Sequence, residues 1–198
     1  MFKILTVKDK IRVPPTKFEL ELNEAVKKSL QEQIEGKIDP NLGVFLVVTE
    51  VNNIGEGEIV PEDGAIFYPA NYKILTYMPE INEVVMGEVV DITEFGAFVR
   101  IGPLDALTHV SQIMDDKISY DSKNSIFTGR KAGNKLKEGD IVRARIVGAS
   151  LGKGRTKISL TMRQPNLGCV QWIEGEKRKK LKKPGTRAAK PAAKSKKK

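Results

Sequence analysis

Two phenylalanines three residues apart, Phe95 and Phe98, carry the chemistry this sequence offers most plainly, because they stand among basic residues. An aromatic ring turned to solvent beside Arg or Lys stacks nucleobases and holds phosphates, at about 1–3 kcal/mol per base. In Gly96-Ala97-Phe98-Val99-Arg100-Ile101 a two-residue period puts Ala97, Val99 and Ile101 on one face and Phe98 and Arg100 on the other. Phe95 has the parity of the inner set, and Gly96 beside it predicts a bulge that re-aims its ring outward.

Other reactive groups are sparse. The chain holds one His and one Cys, so no Ser/His/Asp or Cys/His set can be assembled and no catalytic residue is assigned. Asp115-Asp116 lacks further oxygen ligands at a set spacing and reads as a solvated turn, so no metal and no cofactor are expected. Gly152-x-Gly154 departs from the phosphate-loop spacing and reads as a tight hairpin. His109 is open to two readings, a buried hydrogen-bonding group or a nucleic-acid contact.

Half-buried strands must position the phenylalanines. Val85, Gly87 and Val89, with Ile92 after a step, form a first strand. Val142, Ala144 and Ile146 alternate with Arg143 and Arg145, while Ile158 and Leu160 alternate with Lys157 and Ser159. At least four such strands are expected, a small barrel. The segment resembles the ribosomal S1-type RNA-binding domain, an OB-fold. The likeness lies in Gly87-x-Val89, Phe95-Gly96-Ala97-Phe98-Val99, His109-Val110-Ser111-Gln112-Ile113, Gly139-Asp140-x-Val142 and Lys157-Ile158-Ser159-Leu160. It implies that Phe95, Phe98, His109 and Arg155, with Lys157 beside them, meet RNA. Two departures are Pro103 to Thr108, where the family is glycine-rich, and Ser150, where many members carry an acid.

The N-terminal half differs in kind. Phe2 to Val13 reads as a strand, and Leu22, Val26, Leu30, Ile34 and Ile38 recur every four residues as the apolar stripe of a helix, with Asn23 as N-cap and Gly36 as terminator. Val44 to Val51 and Ala65 to Tyr77 follow as strands, giving β-α-β-β. Between them lies an acidic loop with Gly55, Gly57, Pro61 and Gly64, and Ile59 and Val60 at its tip. It is either a docking plug or a solvated connector.

Charge divides the chain further. Of the net +9, residues 176–198 supply +11 from twelve Lys/Arg and one Glu, leaving −2 elsewhere. That tail, rich in Lys, Pro and Ala, is expected to stay disordered and to add weak, sequence-independent binding to nucleic acid, or solubility alone. Residues 1–80 carry −4 and 81–163 carry +3, so the positive part of the body is the barrel. A single cysteine suits a reducing compartment, and the apolar runs are too short for a signal core or a membrane span, so a cytoplasmic protein is expected.

The whole of residues 1 to about 173 resembles the family of archaeal DNA-directed RNA polymerase subunit 7, counterpart of the eukaryotic polymerase II seventh subunit. The marks are Arg12-x-Pro14-Pro15, Gly64-Ala65, Tyr77-x-Pro79 before Glu83-Val84-Val85, Asp115-Asp116-x-x-Ser119-Tyr120-Asp121, and Leu160 to Gly168. The resemblance implies an α+β ribonucleoprotein-like domain over 1–80, an S1 barrel over 81–165, a C-terminal extension over 166–175 and the basic tail over 176–198. It implies a non-catalytic stalk subunit of RNA polymerase, paired as a heterodimer with RNA polymerase subunit 4. Its tip would dock on the polymerase core near the clamp, aiding promoter opening, and its barrel would meet nascent single-stranded RNA. The rival reading is a free-standing S1 protein, such as an exosome cap component or a translation factor subunit.

Overall fold

Alternating β-branched and aromatic runs make this chain mostly strand, and the computed structural model describes it over residues 1–181 apart from 62, 132 and 153–155. The first half runs β1 (Phe2–Val13), α1 (Leu22–Ile34), β2 (Ile38–Asp39), β3 (Gly43–Asn52), β4 (Glu58–Ile59) and β5 (Ile66–Tyr77). The strands pair antiparallel in the order β1-β5-β3-β2, with β4 on β5 beyond the stretch that β3 covers. α1 covers one face of this sheet, burying Ala25, Val26 and Leu30 against Ile11, Val13, Val48, Tyr72 and Ile74.

The helix departs from its expected stripe at both ends. Leu22 stays 42% exposed, and Ile38 belongs to β2. Glu21 rather than Asn23 is the capping residue, and its side chain makes no cap hydrogen bond. A 3-10 turn at Pro15–Lys17 leads the chain in, and the Glu21 carbonyl already accepts the Ala25 N–H at 2.8 Å, so the helix has begun before Asn23 can cap it. Gly36, at φ +79°, does end the helix.

The second half runs β6 (Val84–Thr93), β7 (Gly96–Ile101) and β8 (Leu104–His109), then an inserted sheet of β9 (Ile118–Asp121), β10 (Ile126–Gly129) and β11 (Lys135–Leu136), then β12 (Ile141–Ser150) and β13 (Lys157–Thr161). β6 pairs with β7, β7 with β8, β8 with β13 in parallel, β13 with β12 and β12 back to β6, so five strands close a barrel. Closure leaves these strands no free edge. The step before Ile92 is a register shift between Val89 and Asp91, which turns both Val89 and Ile92 inward. Ala97, Val99, Ile101, Val142, Ala144, Ile146, Ile158 and Leu160 are buried as their alternation requires. Each large apolar side chain among them contributes about 1.5–3 kcal/mol of transfer free energy.

The inserted sheet joins the same core through Phe127, fully buried, whose ring lies 5.3 Å from that of Tyr120. After the barrel come β14 (Gly168–Cys169) and α2 (Val170–Leu181), so helix continues beyond residue 176, where composition starts the tail. Trp172 seats α2 by donating its Nε1–H to the Lys135 carbonyl at 3.1 Å. Residues 182–198 lie outside the described residues. No helix among the described residues is long and apolar enough to cross a membrane.

The two halves share side chains. Phe2, Tyr77 and Val44 stand in one row across the first sheet, and Tyr77 and Val44 are buried with the barrel core. The rings of Phe2 and Tyr77 lie 4.9 Å apart. The linker is tied to β12 by Asn82 N–H to the Ile146 carbonyl at 2.8 Å and Ile146 N–H to the Glu83 carbonyl at 2.9 Å.

Candidate nucleic-acid interface

Phe95 lies in the two-residue turn Glu94-Phe95 that joins β6 to β7, and it is 47% exposed. This corrects the expected bulge at Gly96. Thr93 pairs directly with Gly96, and the Thr93 hydroxyl donates to the Gly96 carbonyl at 3.0 Å, so the ring points out because it belongs to the turn. Gly96 is needed for another reason: a Cβ there would sit 2.3 Å from the Thr108 carbonyl oxygen. That close approach seats the turn on β8, where Val110 N–H donates to the Phe95 carbonyl at 3.0 Å.

Phe98, half-buried on the outer face of β7, meets Phe95 edge-to-face with ring centroids 6.1 Å apart and planes at 88°. Its neighbour across the strands is Leu107, which in turn faces Ser159 on β13. Leu107 therefore stands beside Phe98 on the same face of the sheet. It is absent from the residues singled out by sequence, although a leucine between inward Ala106 and Thr108 is the signal of an apolar residue turned outward.

His109 stands opposite Gly96 at the end of β8 and is exposed, so it is not a buried core histidine. Its Nδ1 accepts the Ser111 N–H at 3.3 Å and lies 2.9 Å from the Ser111 hydroxyl. The neutral ring therefore carries its proton on Nε2 as a donor. Lys157 is exposed on β13, two positions before Ser159, beside the Arg100 and Asp105 row rather than beside Phe95. Arg100 donates to Asp105 at 2.9 Å, which neutralises the cation nearest Phe98. Arg155 lies outside the described residues. The structure thus brings together Phe95, Phe98 and His109, with Lys157 across the sheet. Asp115 accepts a hydrogen bond from Arg163 Nε at 2.9 Å, and Asp116 accepts the Lys117 and Lys131 N–H groups at 2.6 Å each.

The acidic loop forms the opposite end of the molecule. Far from being a free connector, it pairs with β5 through Glu58 opposite Phe67 and Ile59 opposite Ile66. Lys10 bonds Glu58 at 2.6 Å, and Arg12 grips Asp63 through two hydrogen bonds of 2.8 and 2.7 Å. Gly55 and Gly57 allow this approach: a Cβ would lie 2.8 Å from the Pro69 ring at the first and 2.6 Å from Ile66 at the second. Pro61 and Gly64 lie on the return of the loop, Pro61 exposed. Ile59 at 74% and Val60 at 44% exposure stay outside the core.

The Arg12 hydrogen bonds, aided by the Ala65 N–H, hold the Asp63 carboxyl below its ordinary pKa. A lowered folded value means that the contribution is complete above the ordinary carboxylate value of about 3.9 and is lost as pH falls through the folded one. The protection of the β4 amide that faces β5, taken as its exchange rate relative to the intrinsic rate at each pH, should therefore hold from neutrality down to about pH 4 and fall only below it. Asp63→Asn should give fast exchange already at neutral pH; unchanged protection in that variant would mean that the ion pair does not hold the tip.

Comparison with known proteins matches both halves. Residues 8–64 fit the family model "SHS2 domain found in N terminus of Rpb7p/Rpc25p/MJ0397", and residues 78–163 fit "S1 RNA binding domain". The chain is similar to the DNA-directed RNA polymerase subunit Rpo7 of Saccharolobus shibatae, at 40% identity over 180 residues, 90% of this chain and 100% of that one. Rpo7 of Sulfolobus acidocaldarius is 38% identical over 177 residues, 89% of this chain and 97% of the other. A more distant relative is DNA-directed RNA polymerase II subunit rpb7 of Dictyostelium discoideum, 23% identical over 172 residues, 86% of this chain and 99% of its own.

Proposed function

The chain belongs to the family of DNA-directed RNA polymerase subunits that includes Rpo7, and from this we propose that it is the non-catalytic stalk subunit of its enzyme, docked by one end and reading RNA with the other. The single observation that carries the reading is the separation of two exposed features: the Ile59 and Val60 tip at one end of β5, and the Phe95 and Phe98 pair on a barrel that packs around the other end. Tip docking on the core near the clamp biases promoter opening. The aromatic face takes emerging single-stranded RNA by stacking, without base-specific readout, and favours elongation. Phe95, Phe98 and His109 make the contact, with Lys157 and Arg155 supplying charge.

RNA polymerase subunit 4 is the partner, and an apolar face across the junction of the halves supports its docking. Phe2 and Ile4 are 56% and 64% exposed on β1, whose outer edge is unpaired in the sheet, and Val84 and Met86 are 47% and 56% exposed on β6. A crevice lined by Phe2, Tyr77, Met86 and Gly102 joins the two sets. Apolar area of this kind on a small protein is covered in its working state. The protein is cytoplasmic on this reading, like the transcription it serves. The relatives share both halves end to end, whereas a free-standing S1 protein would share the barrel alone.

Affinity capture from native extract with a tagged chain tests the assignment. The expected catch is a small partner subunit together with the large polymerase subunits. Recovery of exosome or ribosomal proteins without polymerase would leave only the RNA-binding barrel standing.

A further inference from the structure

The inserted sheet is strongly basic. Residues 117–137 contain six Lys/Arg and one acidic residue, Asp121. Lys117, Lys123, Arg130, Lys131, Lys135 and Lys137 are all exposed. No ion pair among the described residues includes any of them, whereas six of the nine Lys/Arg of residues 1–80, Lys3, Lys10, Arg12, Lys17, Lys28 and Lys73, have carboxylate partners. Asp121, the acid within the sheet, is exposed and accepts hydrogen bonds from its own loop, Asn124 Nδ2 at 2.7 Å and Lys123 N–H at 3.0 Å. Cations gathered on a small rigid scaffold repel each other, and a polyanion relieves that repulsion.

Three of these cations are carried on adjoining backbone. Arg130 N–H donates to the Lys117 carbonyl at 2.9 Å, which makes the two residues cross-strand neighbours, and Lys131 follows, its N–H held by Asp116. Lys117 also lines a cleft with Ser111, Asp115, Asp116 and Arg163, in which Asp115 is paired with Arg163 and Asp116 accepts the Lys117 and Lys131 N–H groups. Ser111 is the residue that holds His109, so the cleft begins where the aromatic face ends.

The geometry points to a second phosphate-binding strip for single-stranded RNA, formed by Lys117, Arg130 and Lys131, continuous with the aromatic face through His109 and Ser111. It rests on the RNA reading of that face and extends it: bases stack on Phe95 and Phe98, and the strand beyond them runs past His109 onto the inserted sheet, held by charge alone. The strip therefore lengthens the footprint and adds no base preference.

Fluorescence anisotropy with labelled oligouridylates of about 4 and about 16 nucleotides, the short and long limits of an OB-fold site, tests the strip. The full chain is compared with a Lys117→Ser, Arg130→Ser, Lys131→Ser variant. The longer oligomer should bind the variant about tenfold more weakly, and its slope of log affinity against log salt should shrink by about 2, at about 0.7 for each of three lost phosphate contacts. The shorter oligomer should bind both proteins alike. Trp172, the single tryptophan, reports by its emission that the inserted sheet stays seated. Equal losses for both oligomers, or none for either, overturn the strip. A Phe95→Ala, Phe98→Ala variant keeps the two readings apart. If it loses both oligomers while the triple variant matches the parent, the strip alone is wrong. If both variants match the parent, the aromatic reading is wrong as well.

Discussion

Exchanging Ile59 and Val60 together for aspartate should remove the large polymerase subunits from the captured complex while the small partner, subunit 4, stays bound. Both side chains are exposed, and β4 is held by Glu58 and by backbone pairing with β5, so the fold does not depend on them. Covering two β-branched side chains in a receiving pocket is worth about 3–6 kcal/mol, and an unpaired carboxylate in the same pocket carries a further desolvation cost. The combined effect exceeds about a hundredfold in affinity, at about 1.4 kcal/mol per tenfold. Mass spectrometry of the captured proteins reads it directly, with the melting temperature as a control for folding. Retention of the large subunits by the variant would place the docking surface elsewhere on the molecule.

The second large effect belongs to the aromatic pair. Phe95→Ala with Phe98→Ala removes two stacking platforms worth about 1–3 kcal/mol each, a loss of at least about thirtyfold in affinity for single-stranded RNA. Stacking releases no counterions, so the salt slope should stay that of the parent while the whole line drops. This pairing of outcomes separates stacking from charge. Phe98→Leu should keep the packing beside Leu107 and lose its share of the stacking, which guards against reading a disturbed barrel as a lost contact. Parent-like affinity in the double alanine variant would sink the RNA assignment of this face.

The barrel was legible because its strands are half-buried and antiparallel neighbours alternate in step. Val89 and Ile92 even betray their bulge, since a spacing of three between two inward side chains cannot fit a period of two. The outward orientation of Phe95 follows from sequence, but its cause does not: Glu94-Phe95 lacks the Asn-Gly or Asp-Gly mark of a two-residue turn, so a bulge at Gly96 looks equally able to turn the ring. Asn23 looks like a cap because local preference favours it, but the chain arrives from the Pro15–Lys17 turn already wound. β4 is too short to show any period, and its pairing depends on a partner strand that spacing alone does not identify. In the site, the pairing of Arg100 with Asp105 required the β7 and β8 register, which spacing along the chain does not supply. The cations of the inserted sheet are visible as letters. Their placement on adjoining strands needed the backbone bond between Arg130 and Lys117.

One strand connects everything the subunit does. β5 starts at Ile66 against the tip residue Ile59 and ends at Tyr77 within the barrel core. Its twelve residues span about 40 Å at about 3.4 Å each. β1 is bonded along the whole length of β5 on one side, while β4 and β3 hold the two ends of β5 on the other. A ribbon braced in this way does not stretch, and the row of Phe2, Tyr77 and Val44 leaves no loose joint where it enters the barrel. The molecule is thus a lever. With the barrel holding RNA and the tip docked as proposed, a pull on the barrel would arrive at the tip as torque.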